Sequence, residues 1–487
     1  MKPMKMKMKM TQLGSILVAT ITLAGSPWLL SGCAGPRPAW ELPTPPVKEA
    51  PIVARGALRR QTLSNGLRIL MLEDHSRPVV SFGLSVRRGI AIETPGNEGV
   101  AALCSEVMQR GAGVRDALAM ARSVDELGAT FGVAASWDSM RVGVSGLARD
   151  ADTLLQIVSD VTLRPRFDEV EIQKARDEQL AKLVGAIDNP ATLLGWQLAR
   201  TLYPGHRYGI PRAGLTASVR ELTTADVRAF YDQVFHPNNA IFYATGDFDS
   251  ERLLEQVELA LGEWLPGAVP DPVAPPPLIV PSARKIVVVD RPDMVQVQIA
   301  LAHEGLQRDD PRRIPAALLN NVLGGSGFSS RLMLSIRSNA GLTYSIRSGF
   351  SLRRRPGRFS ISTFTRADQV RPMLDLMLAE VAAIRSDRPV SESELRNAKA
   401  YSVGQFALGL ETSAAVTGSL VNLDIYDLPE DSLDTYRRRV QQATGTEVAA
   451  LARELLHPDR AAIVVVGPAD KLVPELESLG PVEVVTW

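Results

Sequence analysis

The side chains best suited to hold a metal or move protons are the five histidines, His75, His206, His236, His303 and His457, and no two of them are near in sequence. Two histidines at i and i+4 would share one helical face, where they can grip one Zn²⁺. His303-Glu304 begins such a pattern, but Gln307 stands at its i+4 position. The run Gly324-Gly325-Ser326-Gly327 could cradle a phosphate on backbone N–H groups. It lacks the lysine of a P-loop and does not follow the required strand, which removes that chemistry. Downstream, Arg337 and Tyr344 stand seven residues apart. An arginine offers several fixed N–H donors, and a tyrosine hydroxyl can stabilise a developing oxyanion. Read from residue type alone, Arg337 ends a helix and Tyr344 packs in a strand.

The elements that must position these groups can be read from periodicity and turn signals. In the first half, Gln61–Leu72 and Val79–Val86 read as strands, the first turning at Asn65-Gly66. Gly99–Arg110 reads as a helix, Thr130–Trp137 and Met140–Gly146 as a hairpin, and Phe167–Ala186 and Ala191–Leu202 as long helices. In the second half, strands are expected at Lys285–Asp290, Val295–Ala302, Leu342–Phe350 and Gly357–Thr365. Helices are expected at Arg313–Leu323, Ser330–Ser338, Asp368–Ile384 and Glu392–Leu408. Strands joined by tight turns, with helices gathered in runs, indicate an α+β layer rather than a doubly wound sheet.

A chain of 487 residues is too long for one core and suits two domains of about 200 residues. The halves end alike. His236, Pro237, Ala240 and Gly246 recur at one constant offset as His457, Pro458, Ala461 and Gly467, and Asp226-Val227 recurs as Glu447-Val448. Such self-similarity indicates a duplicated domain. The formal net charge is zero, so no basic field points to nucleic acid.

The first residues differ from the rest. Lys2, Lys5, Lys7 and Lys9 precede a short uncharged apolar stretch, which makes residues 1–32 a secretory signal rather than a membrane span. Leu30-Ser31-Gly32-Cys33 resembles a lipobox, which implies acylation of Cys33. Ala34 in place of Asp implies sorting to the periplasmic face of the outer membrane. The only other cysteine, Cys104, then lacks an intrachain partner, so the fold must stand without disulfides. Residues 33–58 are a proline-rich tether, and 266–282 a proline-rich linker between halves at 59–265 and 283–487.

Leu63-Ser64-Asn65-Gly66-Leu67-Arg68-Ile69, followed by Glu73-Asp74-His75, is similar to the opening strand of pitrilysin/insulinase-type zinc peptidases. In that family the next helix carries H-x-x-E-H between two glycines. Gly99 and Gly111 keep that spacing here, but the histidine positions fall on Ala102 and Glu106 and the general-base position on Ser105. The family's distant glutamate precedes a D-x-P turn. Asp188-Asn189-Pro190 supplies the turn, and Lys182 stands where the glutamate would be. Ala102 has no donor atom, Ser105 cannot accept a proton at neutral pH, Glu106 alone is a single ligand, and Lys182 repels a cation.

The segment from Gly324 to Ser345 is similar to the family's best marked motif outside the zinc helix. That likeness gives Arg337 and Tyr344 a substrate-binding role, exercised in trans. The resemblance implies an α+β fold of two homologous halves, each a mainly antiparallel sheet with helices on one face, forming a clamshell. It implies no metal in this chain and a zinc-bearing partner subunit of the same family, encoded nearby. The expected function is that of a non-catalytic, substrate-binding subunit of a heteromeric zinc metallopeptidase acting on envelope peptides. The alternative is a catalytically inert scaffold or binding lipoprotein of an envelope complex.

Overall fold

The structure, a computed structural model, describes residues 51–53, 56–269 and 282–487. The signal segment 1–32, Cys33, most of the tether and most of the linker lie outside the described residues.

Besides a short two-stranded sheet of Gly111–Ala112 and Arg115–Asp116, six strands make the main sheet of the first half: β1 (Leu58–Thr62), β2 (Arg68–Glu73), β3 (Val79–Val86), β4 (Thr130–Ala135), β5 (Met140–Leu147) and β6 (Ala240–Gly246). They form one sheet in the order β1-β2-β6-β3-β5-β4, antiparallel except where β2 runs parallel to β6. The second half carries β7 (Lys285–Asp290), β8 (Gln296–Glu304), β9 (Ile346–Ser351), β10 (Arg358–Arg366), β11 (Ala462–Gly467) and β12 (Val482–Val485). Read from the other edge, its order is β12-β7-β11-β8-β10-β9. Five strands therefore correspond one to one between the sheets. The sixth differs: β1 precedes its neighbour in sequence and pairs antiparallel, whereas β12 comes from the chain end and pairs parallel.

Seven helices matter for the site: α1 (Val100–Val107), α2 (Glu169–Ala186), α3 (Pro190–Leu202), α4 (Arg313–Asn320), α5 (Val370–Arg385), α6 (Glu392–Leu408) and α7 (Ser413–Ile425). Their starts are set locally. Asn189 accepts from the N–H groups of Ala191 and Thr192, with Pro190 in the first turn of α3. Ser391 and Glu394 form a reciprocal capping box at α6.

Alternation along the strands decides what packs where. Val80, Phe82, Leu84 and Val86 of β3 face the first half's own helices, including α1 and α2. Leu70, Leu72 and Ile241 point to the opposite face. That face is covered by α7 of the second half, through Val416, Leu420, Val421 and Leu423. The second sheet mirrors this. Ile286, Val288, Ile299 and Ile463 face the second half's helices, including α4 and α5. Val287, Val289, Ala300, Ala462, Val464 and Val466 receive Leu193, Leu194, Leu198 and Leu202 of α3 from the first half. Each buried leucine contributes about 1.5–3 kcal/mol relative to exposure. The halves thus exchange helices.

Two expected helices take a different form. The helix expected through Leu323 ends at Asn320 and continues as a π-helical stretch, Asn321–Gly325. The segment expected as Ser330–Ser338 is π-helical over Met333–Asn339. Within the first of these stretches, a Cβ at Gly324 would lie 2.5 Å from Ser348 Oγ and 2.9 Å from the Ser348 backbone nitrogen. The strand passes too close for a side chain.

Candidate functional site: a lost metal face and an arginine–aromatic clamp

The four residues expected at the metal positions, Ala102, Ser105, Glu106 and Lys182, lie on α1 and α2. The start of α1 is held by a buried carboxylate. Glu93 accepts from the N–H of Gly99 and of Ala101, both at 2.9 Å. Its charge is met by Arg207, whose Nη2 lies 2.6 Å from Glu93 Oε2, with the two side chains 6% and 0% exposed. Burial nonetheless raises the Glu93 carboxyl above the usual carboxylate range, with Arg207 opposing. Gly99 itself sits at φ +101°, a left-handed position suited to glycine.

Ala102 and Glu106 share one face of α1. Ser105 is buried and its Oγ donates to the Ala102 carbonyl at 2.8 Å. Glu106 accepts from Arg110 Nη2 at 3.0 Å, and the same nitrogen donates to Glu178 Oε2 of α2 at 2.8 Å. The bond from Arg110 holds the Glu178 carboxyl below its ordinary range. Lys182 is exposed, one helical turn beyond Glu178. A zinc ion does not fit this donor set: the carboxylates are neutralised by a guanidinium, and a further cation stands beside them.

The histidines do not replace it. His303 and His457 come together, their ring centres 5.2 Å apart. Both ring nitrogens of His303 are engaged: Nε2 accepts from the His457 backbone N–H at 3.2 Å, and Nδ1 lies 2.7 Å from the Glu304 carbonyl. Among the described residues, no group of three or more His, Cys, Asp or Glu is placed to hold a metal ion.

The second half brings its two expected residues together. Arg337 lies in the π-helical Met333–Asn339, and Tyr344 in the turn before β9. The Arg337 guanidinium carbon is 4.8 Å from the Tyr344 ring centre and 4.4 Å from that of Phe328. Tyr344 is 74% exposed and Phe328 68%. Such a cation between two rings gains about 0.5–1 kcal/mol per contact at an exposed site. Phe328 was not singled out from the sequence. The signal available was one large aromatic inside a stretch of glycine and serine. π-Helical turns occur often at functional sites; here one precedes Phe328 and another contains Arg337.

Residues 68–214 match Insulinase (Peptidase family M16), and residues 221–401 match the Peptidase M16 inactive domain. The chain belongs to the insulinase family, peptidase family M16. This M16 chain is 27% identical over 418 residues to an uncharacterized zinc protease of Streptomyces coelicolor, across 85% of the chain and 90% of the relative. It is 23% identical over 415 residues to the uncharacterized zinc protease YmxG of Bacillus subtilis, across 85% and 99%. Among solved structures, a peptidase M16 inactive domain from Pseudomonas fluorescens matches with a TM-score of 0.77 and 27% identity, covering 84% of this chain and 98% of that one. A protease from Helicobacter pylori shares the fold with a TM-score of 0.77 at 18% identity, covering 84% and 99%. This M16 chain is a non-catalytic peptidase-fold protein, and Ala102, Ser105, Glu106 and Lys182 stand where the resemblance expects the catalytic motif.

Proposed function

We propose that this M16 chain is the metal-free, substrate-gripping subunit of a heteromeric zinc peptidase of the cell envelope. The observation that carries this reading is the clamp of Phe328, Arg337 and Tyr344, its two rings exposed, in a chain whose expected metal positions carry no ligand set. A partner of the same family would bring H-x-x-E-H and perform the hydrolysis. Here Arg337 would donate to peptide carbonyls, and the Tyr344 hydroxyl would donate to the oxygen on which negative charge develops. The lipobox-like Leu30-Ser31-Gly32-Cys33 supports anchoring on the periplasmic face of the outer membrane. Stable anchoring takes more than one acyl chain.

The test is peptide cleavage by this chain alone, by an H-x-x-E-H partner encoded beside it alone, and by the mixture. Activity confined to the mixture, and reduced by R337A or Y344F without loss of association, is the expected result. Equal activity of the partner alone overturns the reading and leaves a binding scaffold. Labelled-palmitate incorporation lost in C33S checks the anchor.

A further inference from the structure

A groove whose charge is unbalanced begins one residue beyond the clamp, at Ser345. A cavity of about 350 Å³ lies between α3 and the outer face of β8, β9 and β10. Leu194 and Leu198 wall it, and its floor carries Ser360 and Ser362. Ser345, the residue after Tyr344, lines its mouth. That junction is fixed: the Ser345 N–H donates to Thr343 Oγ1 at 3.2 Å, and Thr363 Oγ1 donates to the Ser345 carbonyl at 2.9 Å. These two hydrogen bonds hold the backbone where the clamp's strand enters the groove.

Two arginines line it. Arg347 projects from β9 opposite Ser362, and Arg358 from β10 opposite Ser351. Arg347 is exposed, and Arg358 is partly buried. Among the described residues, no carboxylate pairs with either. Glu304 faces Arg358 across the β8–β10 register, but Glu304 is bound by Arg460. Burial lowers the Arg358 guanidinium below its ordinary range, and no carboxylate acts to raise it. A partly desolvated cation without a counter-ion gains from a ligand that brings one. The hydroxyl-lined floor suits an extended chain, whose alternate side chains point one way.

Resting on the substrate-gripping reading, we propose that this groove takes the acidic side chains of an extended peptide lying across the Arg337–Tyr344 clamp, so that Arg347 and Arg358 set a preference for acidic peptides.

The test uses the mature chain and two fluorescent peptides of equal length, one carrying Asp and Glu at alternate positions and one carrying Asn and Gln there. Anisotropy at low salt should show the acidic peptide binding roughly tenfold or more tighter, a preference that shrinks as salt rises. R347Q and R358Q should each cut that preference, and the pair should bring it near unity. Circular dichroism and the urea midpoint report whether each variant folds, and R347K, which keeps the charge, should retain most of the preference. Equal binding of the two peptides, no binding of the acidic one, or a preference untouched in the folded double variant overturns the proposal. Acidic preference without cleavage in any partner mixture supports the groove and sinks the peptidase reading. Cleavage in the mixture without acidic preference does the reverse.

Discussion

Arg337 packs its guanidinium against the face of Tyr344, 4.8 Å from the ring centre. The arginine thereby fixes the tyrosine, and the tyrosine fixes the arginine. Y344F keeps the ring and the stacking but removes the hydroxyl. It should slow cleavage by the mixed subunits about 100-fold with little change in KM, as expected for a lost oxyanion donor. R337A should instead weaken peptide binding by about 1.5–3 kcal/mol. Tyr344 lies at the surface, so Y344F should leave the urea midpoint unchanged, whereas R337A should lower it slightly through the loss of two ring contacts. Steady-state kinetics beside equilibrium unfolding separates these outcomes.

Glu93 and Arg207 give the opposite expectation. Their pair is buried and caps α1. R207M leaves a carboxylate without its partner and should cost about 3–5 kcal/mol of stability. E93Q in the same chain should restore part of the loss, because an amide needs no counter-ion. Urea unfolding of the two variants checks this, and a neutral R207M would show that the pair contributes little.

The pH dependence of stability should carry the mark of His303. Burial holds its imidazole down at about 4 in the folded chain, with His457 pushed the same way. Unfolded, a histidine takes up a proton below about pH 6.5. Between those values the unfolded state binds the extra proton, so stability is present above about 6.5 and falls as pH drops through the window. The slope is up to about 1.4 kcal/mol per pH unit for one such group. Protonating Nε2 would also break the bond from the His457 N–H. H303Q should flatten that part of the profile, measured as ΔG of unfolding between about pH 7 and about pH 5.

The lost metal face can be rebuilt. A102H, S105E, E106H and K182E together should let the chain retain about one zinc after dialysis, measured by atomic emission. A102H with E106H alone should retain far less, because the third ligand position is still a lysine. Zinc retained by the unaltered chain and removed by a chelator would contradict the ligand assignment.

Much of the fold was legible because each strand carries its own alternation. β3 and β7 appear over the spans expected from pattern alone, and β4 and β5 form the expected hairpin. What pattern does not encode is the partner of a face. The leucines of α3 announce an apolar stripe, yet nothing in them says that the stripe packs on the other half's sheet. α7 was not read as an element at all. Its apolar residues, such as Val416, Val421 and Ile425, do not form one clean stripe, so periodicity does not announce the helix. At the site, Arg337 and Tyr344 were legible through a motif. Phe328 was not, because an exposed aromatic leaves no period. The Arg110–Glu178 contact joins residues far apart in the chain, and only the packing of α1 on α2 brings them together.

The helix exchange makes the duplicated halves mutual dependants. Deleting the second half strips the cover from Leu70, Leu72 and Ile241, and deleting the first uncovers Val287, Val464 and Val466. Either fragment made alone would present a greasy sheet to solvent and invite aggregation. Proteolytic nicking between them need not free two working modules. Once ancestral copies had traded helices, inheritance of one without the other ceased to be an option, and later divergence of the metal face had to leave that mutual wrapping intact.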